Sequence, residues 1–573
     1  MRAWRSSSPF GSREAKPRVA SLRASLAPPL VLAVLLIGLG GPALPQYNVT
    51  WDEASGDFFF GQRYWSYFTT LDPRYLDFRS DPYPPGFVPD LSSSPERHAP
   101  SRFYAVGGTL AAATSELLYR RLGWLDPYDG YHAVNLWLAV LFLFVFYRFL
   151  LRHFGIGVAV LAPLLLFLCP RIVCDLMANI KDFPSLVLFS VTLIAFLAAW
   201  EAGSVAGVLG SGVLWGVALG AKSNALFIAP VVGLLFLAGR LPEGWGSRYR
   251  ALLAIVLAGS LGVGTWVLVW PYTWEDPARL LFEHLRFIAT FQSAFMRPES
   301  TAPPLPNLLF TTPIPFLLLF GLGLWPLWQR VRRREPAALL VLIWIAVVAG
   351  RLVLPGAVNF DGVRHFLELF PPLAVVAALG LVWVVERMGR LPAGAGRKAL
   401  RAAVVALPLV SMATSLVRSH PHEIAYWNAL IGGLGGAQER RMAQAGDYWG
   451  ASYRLGLDWL NEHAAPGSAL AVPLIEHTVR LVAPERLRAD LELLSVPPSS
   501  GPRAREALAW LRAEAAERDV YVLFVPRQDW MNGLMHHFLR NERPLESWDL
   551  DGVPVLLLYR FSPGEARAAL SGG

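Results

Sequence analysis

The apolar positions of this chain come in long blocks separated by short polar stretches. A helix needs about 20 apolar residues to cross a bilayer core. Blocks approaching or reaching that length lie near 24–44, 132–151, 156–175, 183–200, 205–222, 224–239, 251–270, 308–328, 337–354, 366–385 and 402–418. They predict eleven membrane helices. Between the first two, "SRFYAVGGTLAAATSELLYRRLGWL" is half apolar and carries Glu116, Arg120 and Arg121. It predicts a helix lying along or dipping into the outer interface, with a twelfth span as the alternative. After Ser419 the pattern changes. "GASYRLGLDWLNEHAAPGS" and "AREALAWLRAEAAERD" read as amphipathic helices. "ALAVPLI", "VYVLFV" and "VPVLLLYRF" read as short buried strands. Helices alternating with such strands predict a small α/β domain.

Composition agrees with a membrane class. Of 573 residues, 54% are hydrophobic and 16% charged. Cys169 and Cys174 are the two cysteines of the chain, so no disulfide framework is expected and both read as packing residues. The net charge of +8 does not call for nucleic acid, because the basic residues cluster in short loops between apolar blocks. These loops carry Arg148, Arg152 and His153; Arg240, Arg248 and Arg250; "RVRRRE" at 330–335; and Arg387, Arg390, Arg397, Lys398 and Arg401. Under the positive-inside rule they share the cytoplasmic side with a basic N-terminus, residues 1–23. A cleaved signal peptide is the alternative for the first block. No convincing small-x-small site precedes Gln46, however, and many spans follow. The loops 46–131, 175–182, 271–307 and 355–364, and the tail 419–573, then lie outside.

Charges at membrane depth are costly and mark candidate sites. Asp52 and Glu53 open the first outer loop, Lys181 and Asp182 form a short outer turn, and Lys222 sits at the next one. All lie on one side by the separate argument from inner-loop charge. Each feature also has a plain reading. Asp52 could be a loop acid, Asp182 a helix cap ahead of Pro184, and Lys222 a snorkelling residue. "FFFGQRYWSYF" reads as an interfacial anchor. Together, carboxylates and lysines at the outer headgroup level suit a lipid-linked anionic substrate. An ammonium neutralises a phosphate, and a carboxylate takes a proton from an attacking hydroxyl.

The order of these motifs resembles the GT-C glycosyltransferases, specifically the protein O-mannosyltransferase and aminoarabinose-transferase-like group (glycosyltransferase family 39 and relatives). The residues that carry the resemblance are "WDEASGD", "KDFP" at 181–184, "GAKSN", "VRHFLELFPP" with Arg364, "WPYTWEDP" and "HPHEIAYWNALIGG", within 24–433. The resemblance implies an all-α polytopic fold over 24–418 with an extracytoplasmic α/β tail. It implies inverting transfer of a sugar from a polyprenyl-phosphate carrier to a lipid, glycan or protein acceptor, outside the plasma (inner) membrane. Asp52 would be the general base, with Asp182 assisting and Glu53 orienting or contacting metal. Relatives of the aminoarabinose type carry a basic residue where this chain has Ala54, Ser55 and Gly56. The cation for the phosphate must then come from Arg63, Lys181, Lys222 or Arg364. A divalent metal is left open, with His284 as a lone candidate ligand. The tail shows no sign of a sugar-binding β-trefoil. A transporter or flippase of lipid-linked sugars is the alternative, but no paired internal repeat is visible. A receptor would not need the acid pair.

Overall fold

The computed structural model describes residues 19–78, 89–295, 304–354, 360–390, 392, 394–499 and 503–564. Most of the basic N-terminal segment and residues 355–359 of the expected outer loop lie outside the described residues.

The helices are α1 (Val19–Ala43), α2 (Phe58–Thr70), α3 (Ala105–Ser115), α4 (Pro127–His153), α5 (Ile156–Phe167), α6 (Pro170–Ala178), α7 (Asp182–Glu201), α8 (Val205–Ala221), α9 (Ile228–Ala238) and α10 (Arg248–Val269). Then follow α11 (Pro277–Phe295), α12 (Pro304–Thr311), α13 (Ile314–Arg332), α14 (Pro336–Arg351), α15 (Phe370–Arg387) and α16 (Ala395–Ser419). Among the described residues, seven helices are long and apolar enough to cross a membrane. The pair α5 and α6, bent by 70°, makes an eighth if taken as one span. Three shorter apolar helices, Val205–Ala221, Ser223–Ala238 and Pro336–Arg351, occupy the remaining expected positions. The chain is a multi-pass membrane protein whose apolar blocks vary in length. Helices pack closely where side chains are small. On α8, a Cβ at Gly212 or Gly216 would collide with the Ala258 or Gly262 carbonyl of α10.

One expectation is corrected near the first outer loop. "FFFGQRYWSYF" is α2, and its Phe58, Phe59, Phe60 and Tyr64 are buried. This half is core rather than interfacial anchor, because a wide π turn over Glu53–Asp57 sends the chain back into the bundle. The half-apolar stretch that follows is α3 and a π turn over Glu116–Arg121. It packs among α2, α4 and α8, with Leu110, Leu117 and Trp124 exposed. Gly107 and Gly108 allow this approach, for a Cβ on Gly108 would stand 2.6 Å from the Asp57 carbonyl.

The tail contains α17 (Gly433–Glu439), α18 (Tyr453–His463), α19 (Glu476–Arg486), α20 (Arg503–Ala515) and α21 (Gly533–Asn541). Its strands β1 (Ala469–Ala471), β2 (Glu492–Leu494), β3 (Val520–Phe524), β4 (Glu546–Leu550) and β5 (Val553–Phe561) form one sheet in the order β2-β1-β3-β5-β4. The pairs β1–β2 and β1–β3 are parallel; β3–β5 and β4–β5 are antiparallel. The five expected elements are present, with β1 shorter than its apolar run. The short, half-exposed β2 and β4 carried no strand pattern. The tail docks on the bundle through Arg486, whose Nη2 lies 2.6 Å from Asp129 Oδ1 of α4.

Candidate active site

The π turn after α1 and the short turn between α6 and α7 face each other. Asn179 builds the second turn: its Oδ1 accepts from the backbone N–H of Lys181 at 3.1 Å and of Asp182 at 2.8 Å. Asn179, not Asp182, therefore serves the start of α7. The Asp182 carboxylate is left for other partners. Its Oδ2 accepts from Asn179 Nδ2 at 2.9 Å and faces Arg364 Nη1 at 3.3 Å, while its Oδ1 pairs with Lys222 Nζ. Lys222 does not snorkel; it is buried.

Asp52 joins the same network. Its Oδ2 lies 2.7 Å from Lys181 Nζ and 2.9 Å from Arg364 Nη1. Lys181 Nζ also stands 3.3 Å from Asp57 Oδ2, and Arg364 Nη2 lies 2.9 Å from Asp361 Oδ2. Exposure separates the four acids. The Asp52 side chain is 27% exposed, against 6% for Asp57, 0% for Asp182 and 9% for Asp361. Among the described residues Asp52 Oδ1 has no hydrogen-bond partner, so Asp52 retains an oxygen for a visiting molecule.

The charges set each other's protonation. Burial pushes the Asp52 carboxyl up, but Lys181 and Arg364 override it and hold it well below the usual carboxylate range. Burial pushes the Lys181 ammonium down, and Asp52 and Asp57 more than reverse this, raising it well above its ordinary value. Burial carries Asp57 up to about 7 against the pull of Lys181.

Asp52, Lys181, Lys222, Asp361, Arg364 and His365 line a cavity of about 510 Å³. Phe103, Phe227, Leu285, Ile288, Leu352 and Phe360 supply much of the rest.

Three expected site residues stand elsewhere. Glu53 is sealed, accepting from Thr50 N at 2.9 Å, Thr50 Oγ1 at 2.8 Å and Ile180 N at 3.2 Å, with His132 Nε2 at 3.1 Å. It ties the first loop to the Lys181 turn and is not placed to touch a metal. Arg63 is not on the cavity wall; its guanidinium donates to the carbonyls of Arg74, Tyr75 and Asp77 and holds that loop. His284 is buried against Trp270 and Tyr104, its Nδ1 2.7 Å from the Ser101 carbonyl oxygen. No cluster of three metal-ligating side chains occurs among the described residues.

The tail also reaches the cavity, through Arg527 and Trp530. Sequence reasoning missed them, and missed Asp361. Two signals existed. Asp361-Gly362 is a turn pair directly ahead of Arg364, with φ of 53° and 67°. Arg527 follows the C-terminal end of the apolar strand β3, the end where α/β sheets bind ligands.

No family model and no curated relative matches the chain. Solved structures of similar course include ArnT from Cupriavidus metallidurans bound to undecaprenyl phosphate. It is 14% identical, covers 95% of this chain and 98% of its own, and has a TM-score of 0.46. The archaeal oligosaccharyltransferase AglB from Archaeoglobus fulgidus, in complex with an inhibitory peptide and a dolichol-phosphate, is 13% identical. It covers 89% of this chain and 70% of its own, with a TM-score of 0.48. Both neighbours are GT-C polyprenyl-phosphate-dependent glycosyltransferases.

Proposed function

We propose that the chain transfers a sugar from a polyprenyl-phosphate carrier to an acceptor hydroxyl at the outer membrane face. The observation that carries this reading is the position of Asp52. It is the most exposed acid of a buried cluster, held between Lys181 and Arg364 on a cavity lined by both charged and apolar side chains. In the reaction, the acceptor oxygen attacks the anomeric carbon from the side opposite the lipid phosphate. The carbon–oxygen bond to phosphate breaks, its electron pair stays on the departing phosphate, and the configuration inverts. The hydroxyl proton passes to Asp52 Oδ1. Lys222, Lys181 and Arg364 stabilise the phosphate as it leaves.

The low proton affinity of Asp52 fits this sequence. Lys181 and Arg364 hold it ionised. An arriving phosphate shares those cations and raises the basicity of Asp52 when a base is needed. Asp182 holds Lys222 and Arg364 in place, and Glu53 orients the loop. General-base assistance is worth roughly 10²–10⁴-fold, about 3–5 kcal/mol of barrier. Asp52→Asn therefore lowers transfer by at least about a hundredfold while leaving expression and donor binding nearly intact. Transfer by purified Asp52→Asn at the parental rate would make Asp52 a loop acid and end the mechanism. Within this reading residues 24–418 form the transferase domain and 419–573 an extracytoplasmic tail, in the plasma (inner) membrane.

A further inference from the structure

The turn that carries Arg364 is held from the tail. Asp361 Oδ1 accepts from Arg527 Nη2 at 2.9 Å, and Oδ2 accepts from Trp449 Nε1 at 3.2 Å. Both tail residues are built in firmly. Asp447 Oδ1 accepts from the backbone N–H of Trp449 and Gly450, each at 2.8 Å, and its Oδ2 accepts from Ser452 N at 2.7 Å. Arg527 Nη1 donates to the Tyr448 carbonyl at 2.6 Å, and Asp529 lies 3.1 Å from its Nη2. The Arg527 side chain is 3% exposed. A buried line of ion pairs thus runs Arg527–Asp361–Arg364–Asp52, each link 2.9 Å.

Arg364 is divided along that line. One terminal nitrogen serves Asp361; the other serves Asp52 and Asp182. We propose that Arg527 is a positioning residue of the active site: by satisfying Asp361 it keeps Arg364 shared with Asp52, so that the tail completes the cluster. The physical reason is competition. Without Arg527, Asp361 Oδ1 is left unpaired in a buried site, which is costly. Arg364 is the other cation bound to Asp361, and a guanidinium favours two parallel bonds to one carboxylate. It turns onto Asp361 and leaves Asp52 with Lys181.

This inference rests on the transferase reading for its consequence, but its test does not need transfer. The groups facing Asp52 are Lys181, Lys222, Arg364, Asp57 and His477. With Arg364 withdrawn, Asp52 takes up a proton at higher pH. In the purified full chain, the protonation of Asp52 is followed by the infrared band of the protonated carboxyl that Asp52→Asn removes. Arg527→Met raises the midpoint by at least about one pH unit, a tenfold change in proton occupancy, and Arg527→Lys restores most of it. Asp361→Asn, which removes the competitor for Arg364, does not raise it. A folded Arg527→Met with an unmoved midpoint, or a raised midpoint in Asp361→Asn, overturns the proposal. Where Arg527→Met does not fold, Arg527→Gln carries the same expectation. Failure of the transferase reading is separate: it shows as parental transfer by Asp52→Asn, whatever the midpoints.

Discussion

The tail meets the helical bundle through two buried charge clusters whose key acids, Asp126 and Asp52, are equally exposed at 27%. At Asp126 both oxygens are taken. Oδ1 accepts from Asp129 N at 2.7 Å and Arg486 Nη2 at 2.8 Å, and Oδ2 accepts from Arg486 Nε at 2.7 Å. At Asp52, Lys181 and Arg364 both bind Oδ2. The first arrangement closes on itself as a clamp. The second keeps an acceptor atom facing a cavity. Exposure alone does not separate the two clusters; the tally of hydrogen bonds does, and under the proposed reaction it leaves Asp52 free to take a proton.

That contrast can be broken by removing a cation from each cluster. Arg486→Met leaves Asp126 and Asp129 without their main partner, a loss of about 3–5 kcal/mol for a buried pair. Denaturant unfolding of the purified protein should show it. If the unfolding midpoint does not move, the clamp reading is wrong. At the other cluster, loss of a charged contact is worth about 1.5–3 kcal/mol. Changing Lys181, Lys222 or Arg364 to Met should therefore weaken binding of undecaprenyl phosphate at least about tenfold in at least one case. Unchanged affinity in all three removes the cationic donor site, and equal weakening by Arg486→Met would erase the distinction between the clusters.

A smaller effect concerns pH. Asp57, raised to about 7 by burial, binds a proton in the folded chain that the unfolded chain has released above about 4. Stability thus falls as pH rises from about 4 towards 7, and levels beyond it. Asp57→Asn should flatten that slope. The contribution of Asp52, whose pKa is lowered, acts below this window and carries the opposite sign. A slope that persists unchanged in Asp57→Asn assigns it to another group. Finally, the positive-inside rule would put both clusters on the outer side, and this is testable. With Cys169 and Cys174 removed, a cysteine at Glu462 in the tail should react with an impermeant reagent in intact cells, and one at Arg333 should not. Labelling of both positions would overturn the orientation.

Much of the transmembrane part was legible. Bilayer length demands apolar blocks, and each block became helix because a membrane span must satisfy its backbone internally. The convergence of Asp52, Asp182, Lys181 and Lys222 was also legible, since each charge is expensive at membrane depth, whereas Arg364 came forward through the family resemblance. Local pattern misread the first half of α2 and did not show how closely α3 packs. Their aromatic and small residues look interfacial in sequence, and only the turn at Glu53–Asp57 and the close approach at Gly107 and Gly108 bury them.

What the sequence by itself determined, then, is the order of the apolar segments and the charges that cannot face lipid. Tertiary structure alone decided which charges pair. Asp361 and Arg527 are 166 residues apart, and no periodicity links them. The sharing of Arg364 between two acids depends on distances of a few ångströms between elements that meet only once the tail has docked, and Coulomb energies change steeply over that range.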